Sequence, residues 1–230
     1  MSSACTLIIY IGYIGIASGM IGVLCTSLLF GGVFRDDGHM NFVSDGFAKY
    51  NVVSTVLYGG VTSHCILAFR VVGIIKYIQN DFQRTLNILL TFISTMLFLV
   101  AIRYDEIRDA AHITVSIISA FFSLTVLASI IVFNGDFRKL NPELYQFAYF
   151  TWRAAVGGVM GIVALSLVYV QNPSVLSIIA LLEFVSIETL LIIDLTLLIS
   201  IESTLFDICQ QGFLDMDSPM RRSVFDLNSP

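Results

Sequence analysis

The sequence predicts an all-α, polytopic membrane protein, a bundle of about six transmembrane helices. Three observations carry that expectation. Hydrophobic residues make up 57% of the 230-residue chain and charged residues only 13%, about half of the ~25% found in soluble domains. Mean hydropathy is +0.86. Charges fall in short clusters between long uncharged runs, and about 18 consecutive apolar residues suffice to cross a ~30 Å hydrocarbon core as a helix.

Residues 1–34 carry no charged side chain, so the basic start of a signal peptide is missing. The apolar stretch at 7–30 also exceeds the ~7–15 residues of a signal core, which makes it a retained first helix. A polar loop at 35–49 holds Asp36, Asp37 and Gly38, and helix two follows at 52–75 with Arg70 near its far end. Helix three is expected at 85–102. The most charged stretch, Arg103 to Asp109, separates it from helix four at 112–133. Residues 134–143, with Arg138, Lys139 and Pro142, read as a turn. Helix five covers 145–170, Asn172-Pro173 makes a tight hairpin, and helix six runs over 175–200. Residues 1–205 thus form one transmembrane domain and 206–230 a polar tail, disordered at its end. The connections are too short to hold a globular ectodomain.

Composition also excludes function classes. The net charge is −5 and Lys and Arg do not cluster, so no nucleic acid is expected as a partner. Cys5, Cys25, Cys65 and Cys209 are scattered and two fall inside hydrophobic runs, which argues against a disulfide-framed ectodomain. His39, His64 and His112 lack the spacing of a zinc site. Tyr104-Asp105 has no Gly-x-Gly-Asp partner, and Gly-x-Ser-x-Gly is absent. The chain therefore reads as a non-enzyme with no cofactor and no metal. In the tail, Ser218, Ser223 and Ser229 are candidate phosphorylation sites. Cys209 is either a lipidation site or an inert thiol.

Loops two and four and the tail hold Lys76, Arg84, Arg138, Lys139, Arg221 and Arg222, whereas loops one and three hold Arg35, Lys49, Arg103 and Arg108. This six-to-four bias predicts that both termini are cytosolic, with Arg70 snorkelling toward the same side. Ionisable groups inside the apolar runs mark function by default. Arg153 lies in helix five, and Glu183, Glu188 and Asp194 lie in helix six. Counting back from the hairpin matches Arg153 in depth with Asp194 first and Glu188 second, so Arg153 is expected to pair with one of them. At 100° per residue, Glu183 and Asp194 stand about 20° apart and Glu188 about 140° from Glu183. Glu183 is then expected to be served by another helix, through His112 or a hydroxyl. Such a set is either a structural ion pair or the lining of a polar cavity for a proton, an ion or a lipid headgroup.

Small residues recur at helix-packing spacing. Gly15, Gly19 and Gly22 do so in helix one, and Gly157, Gly158 and Gly161 in helix five, where Gly157 and Gly161 form a G-x-x-x-G. Such faces let helix backbones approach, within the chain or against another membrane protein.

The layout resembles the DRAM family, the damage-regulated autophagy modulators with the Frag and Sfk-type proteins, over about residues 5–205. Phe42-Val43-Ser44-Asp45 stands before helix two like the family's Ile-Ser-Asp segment. Arg70 in helix two, His112 at the start of helix four and Arg153 early in helix five occupy similar places. Leu182-Glu183-Phe184 stands where the family reads Cys-Glu-Trp. The chain departs from the family at Arg103-Tyr104-Asp105, which replaces Asn-Phe-Gln, and in having no cysteine in its first loop. The resemblance implies modulation of autophagy, of phosphoinositide kinase recruitment or of ion channels, at the plasma membrane or an endolysosomal membrane. The expectation is a non-catalytic accessory or regulatory subunit that packs in the bilayer beside another integral membrane protein. The alternative is a small transporter or channel that uses the charges of helices five and six.

Overall fold

The computed structural model describes residues 3–24, 40, 42–43, 60–102, 110–140, 142–168 and 172–216. These form seven α-helices: α1 (Ser3–Leu24), α2 (Ser63–Tyr77), α3 (Asp81–Ile102), α4 (Ala110–Leu127), the short α5 (Gly135–Leu140), α6 (Pro142–Val168) and α7 (Pro173–Met216). A π-helical segment, Ala128–Val132, extends α4. Six helices are long and apolar enough to cross a membrane. The all-α, six-helix architecture and multi-pass character follow.

Local chemistry sets where the helices start. Asn80, Asn134 and Asn172 each stand just before a helix, and each side-chain oxygen accepts from a backbone N–H of the first turn: Gln83 at 3.0 Å, Asp136 at 2.9 Å and Ser174 at 2.9 Å. This satisfies donors that have no partner inside the helix. Pro142 and Pro173 occupy first helical positions, where a missing N–H costs nothing. The Asn134 amide also donates to the Tyr77 carbonyl, tying the start of α5 to the end of α2. The segment expected to be a plain turn therefore contains a capped helix.

The last helix departs most from expectation. The sixth apolar run ends at residue 200, yet α7 is 44 residues long, about 66 Å at 1.5 Å per residue. Nothing in 201–211 breaks a helix, and the extension is anchored. Ile201 and Leu205 are buried, and Tyr13 donates to Glu202 at 2.8 Å. The end of the tail, with Ser218, Ser223 and Ser229, lies outside the described residues. So do the start of the expected helix two, the loop positions Ser44 and Asp45, the charged stretch 103–109, Cys25 and His39.

Large apolar side chains face outward while the charged pair is buried. Phe150 is 75% exposed and Leu167 82%, whereas Arg70 is 4% exposed and Asp194 2%. An aqueous solvent would select the opposite arrangement, and a hydrocarbon solvent selects this one. Helix α7 is the spine, packed on α6, α1 and α2, while α3 pairs with α4.

Close packing uses the glycines within the chain, on α1 against the start of α2 and on α6 against α7. A methyl group added at Gly19 would stand 2.7 Å from Thr62, and one at Gly15 2.5 Å from Cys65; the Gly15 carbonyl accepts from the Thr62 hydroxyl at 2.9 Å. Gly22 sits one turn on, partly buried. On α6, Gly158 abuts Ser186 and Gly161 abuts Leu182, but Gly157 faces open space. The expected Gly157–Gly161 pair is therefore not one face. Three- and four-residue spacings diverge in azimuth, and the contact with α7 takes the Gly158–Gly161 side.

Overpacking a tight helix contact costs about 1–3 kcal/mol. Gly19→Leu and Gly158→Leu should each lower the thermal unfolding midpoint of the purified protein clearly, whereas Gly157→Leu should leave it near the wild-type value. Equal losses in all three would contradict this packing.

Candidate intramembrane cavity

Helix periodicity puts Glu183 and Asp194 on one face of α7, about 20° apart and about 16 Å apart along the axis. Both line a cavity of about 310 Å³ that is walled by α2, α3, α4, α6 and α7 and open on one side. Glu188, on another azimuth, does not line it, and its buried Oε1 accepts no hydrogen bond among the described residues.

Asp194 is held by Arg70. The guanidinium makes a bidentate pair, Nε to Oδ1 at 2.7 Å and Nη2 to Oδ2 at 2.7 Å, and Nη1 donates to the Ser123 hydroxyl at 2.9 Å. Arg70 therefore does not snorkel. It lies seven residues before Tyr77 at the end of α2, about 10 Å inside, on the same stripe as the buried residues Ser63, Gly73 and Tyr77. The expected Arg153–Asp194 pair is overturned. Arg153 is exposed, with its guanidinium 5.7 Å from the Tyr149 ring centroid. Depth counting left azimuth out of account. Phe150, Arg153, Gly157, Met160, Ala164 and Leu167 form one exposed stripe at three- and four-residue spacing. The side of α6 toward α7 instead carries Gly158 and Gly161, and Ala155 and Val159 are buried. The signals for the true pair were present: Arg70 sits in a Ser63–Ile66–Arg70–Gly73–Tyr77 heptad stripe, and Arg153 in a stripe that includes the large apolar Phe150, Met160 and Leu167.

At the other end, Glu183 accepts from the Val43 backbone N–H at 2.7 Å. The Met40 N–H donates to Ser177 at 3.1 Å, and Phe42 joins the cavity lining. A piece of the first loop thus folds onto this end. His112 is buried and lines the cavity, as does Ser119 from α4.

Hydroxyls line the wall between the ends. Ser94 donates to the Thr91 carbonyl at 3.0 Å, Ser119 to the Ser94 carbonyl at 2.8 Å and Ser186 to the Leu182 carbonyl at 2.6 Å. Their protons are committed, so they offer the cavity acceptor lone pairs. Arg70 uses three of its five N–H groups among the described residues, leaving donors at the opposite end. The remaining lining is largely aliphatic, with Ile66, Leu190 and Leu191 among it. This arrangement accommodates an amphipathic guest. Its volume is at the lower end of the ~300–1,000 Å³ of small-molecule sites. Among the described residues, no group of three His, Cys, Asp or Glu side chains is placed to hold a metal ion. No protein-family model, curated protein or solved structure matches the chain.

Removing one partner of a buried ion pair strands the other charge, at a cost of about 3–5 kcal/mol. Arg70→Ala and Asp194→Ala should each destabilise the protein by that order, and the double variant by clearly less than their sum. Arg153→Ala should cost far less than Arg70→Ala in the same unfolding assay. Additive Arg70 and Asp194 effects would contradict the pairing.

Proposed function

We propose that this chain is a non-catalytic regulatory membrane protein that binds one small amphipathic molecule inside its bundle. The observation that carries this reading is the cavity that contains the Arg70–Asp194 pair at one end and Glu183 at the other. Buried charge is costly in hydrocarbon, and a cavity flanked at both ends by charge and along its wall by hydroxyl acceptors offers polar partners that a guest can use. An aliphatic guest bearing polar groups fits that lining.

The reading joins the regulatory role implied by the resemblance to the DRAM family, with occupancy of the cavity as the signal and another integral membrane protein in the plasma membrane or an endolysosomal membrane as the recipient. The basic residues Lys76, Arg84, Arg138 and Lys139 all lie at the connections α2–α3 and α4–α6, which supports a cytosolic position for those connections and for both termini. A carrier is the second reading. It is favoured by the hydroxyl wall, which gives acceptors along the path between two charged ends.

Native mass spectrometry of the protein purified from membranes should detect a bound small amphiphile. Ser116→Phe, which fills the cavity, should abolish that adduct without unfolding the protein. An empty wild-type cavity, or an adduct that survives Ser116→Phe, would sink the binding reading. Solute flux in liposomes containing the pure protein would favour the carrier.

Orientation is tested in a background without native cysteines. Gly135→Cys should label only from the cytosolic side of intact cells and Ser174→Cys only from the opposite side. The reverse pattern would overturn the topology.

A further inference from the structure

We propose that Arg138, Tyr145, Tyr149 and Arg153 form a binding site for an anionic phospholipid headgroup at the membrane boundary where α5 meets α6. The four side chains make a continuous ladder. The Arg138 guanidinium lies 5.5 Å from the Tyr145 ring centroid, and the Tyr145 and Tyr149 rings stack at 5.9 Å with an interplanar angle of 11°. The Arg153 guanidinium lies 5.7 Å from the Tyr149 centroid. Positions 145, 149 and 153 are spaced by four, so they form one slowly turning stripe about 12 Å long. The preceding helix supplies the outer guanidinium.

A guanidinium held beside an aromatic ring keeps N–H groups that can reach phosphate oxygens. Both arginines are exposed, and neither makes an ion pair among the described residues. The nearby acids do not neutralise them. Asp136 accepts from Gln79 at 3.4 Å, and Glu143, two residues before Tyr145, projects about 160° away from it around α6.

The site belongs to a lipid rather than to a soluble anion. Arg153 lies within the membrane-crossing span Pro142–Leu167, and the exposed Phe147 and Phe150 flank the ladder where acyl chains run. A helical side chain leans toward the N-terminus of its helix, which carries the Arg153 charge toward Tyr149 and the end of α6 where Arg138 stands. This is also the side with the excess of Lys and Arg, where an anionic leaflet surface is attracted.

The chain has one tryptophan, Trp152, next to Arg153 and donating to the Leu124 carbonyl at 3.0 Å. Its fluorescence reports on lipid beside the ladder. The purified protein is placed in phosphatidylcholine vesicles containing brominated-chain phosphatidylserine, or the same fraction of brominated-chain phosphatidylcholine. Quenching by the serine lipid should exceed that by the choline lipid, with roughly a five-fold local enrichment per guanidinium. Arg138→Gln and Arg153→Gln should each reduce the excess and together bring it to parity. Lys139→Gln, which removes the same charge from the same side without a ring contact, should retain it. Should a glutamine variant fail to fold, Arg153→Lys, which keeps the charge and loses the planar face, takes its place and should also reduce the excess. Parity in the wild type overturns the proposal, and it is the result expected if this face instead receives an acidic helix of a protein partner. An excess that survives the double variant, or one lost equally in Lys139→Gln, also overturns it.

Discussion

A guanidinium and a carboxylate taken out of water must find each other, and in a bilayer no retreat to solvent is available at depth. The Arg70–Asp194 pair meets that constraint with two parallel 2.7 Å hydrogen bonds and a third to Ser123. One residue from α2, one from α4 and one from α7 are thereby held in register. The pair is worth little as net stabilisation, because desolvation offsets most of the attraction, but breaking it is costly. Its effect is specificity: α7 cannot slide or rotate against α2 without stranding a charge. Once that register is set, the heptad-like stripe of α2 and the glycine contacts of α6 follow on the same spine.

The cavity is a consequence of the same arrangement. Side chains that hold a bidentate pair cannot also fill the space beside it, and the neighbouring positions on α3, α4 and α7 are small: Ser94, Ser119 and Ser186. Each hydroxyl is satisfied by a carbonyl of its own or a neighbouring helix, so the wall is stable without a guest. Its lone pairs nevertheless remain available to one. A fully apolar lining would lack that polarity, and a water-filled one would not need committed hydroxyl protons. The function proposed rests on this intermediate character.

Much of the architecture was legible in the sequence because it depends on local or periodic signals. Run length gave the six spans, Asn172-Pro173 gave the last hairpin, and helical azimuth correctly separated Glu188 from the Glu183–Asp194 face. Properties that depend on distant contacts were not legible. Arg70 and Asp194 are 124 residues apart, and depth counting could compare only helices joined by a hairpin. It therefore chose Arg153, which the apolar stripe around it turns outward. The Val43 contact with Glu183 spans 140 residues and involves a backbone N–H, a donor that every residue except proline carries. The extension of α7 to Met216 was hidden because polarity was read as the end of a helix, when it marked only the end of the apolar run.

The central claim is that Arg70 spends its charge on Asp194 inside the bundle and not on lipid. Solid-state magnetic resonance on the protein in phospholipid bilayers tests this most directly, with the Arg70 guanidinium carbon labelled. It should couple to the Asp194 carboxylate carbon at ion-pair distance and show no dephasing by lipid phosphorus. Strong phosphorus dephasing at Arg70, with no coupling to Asp194, would contradict the account.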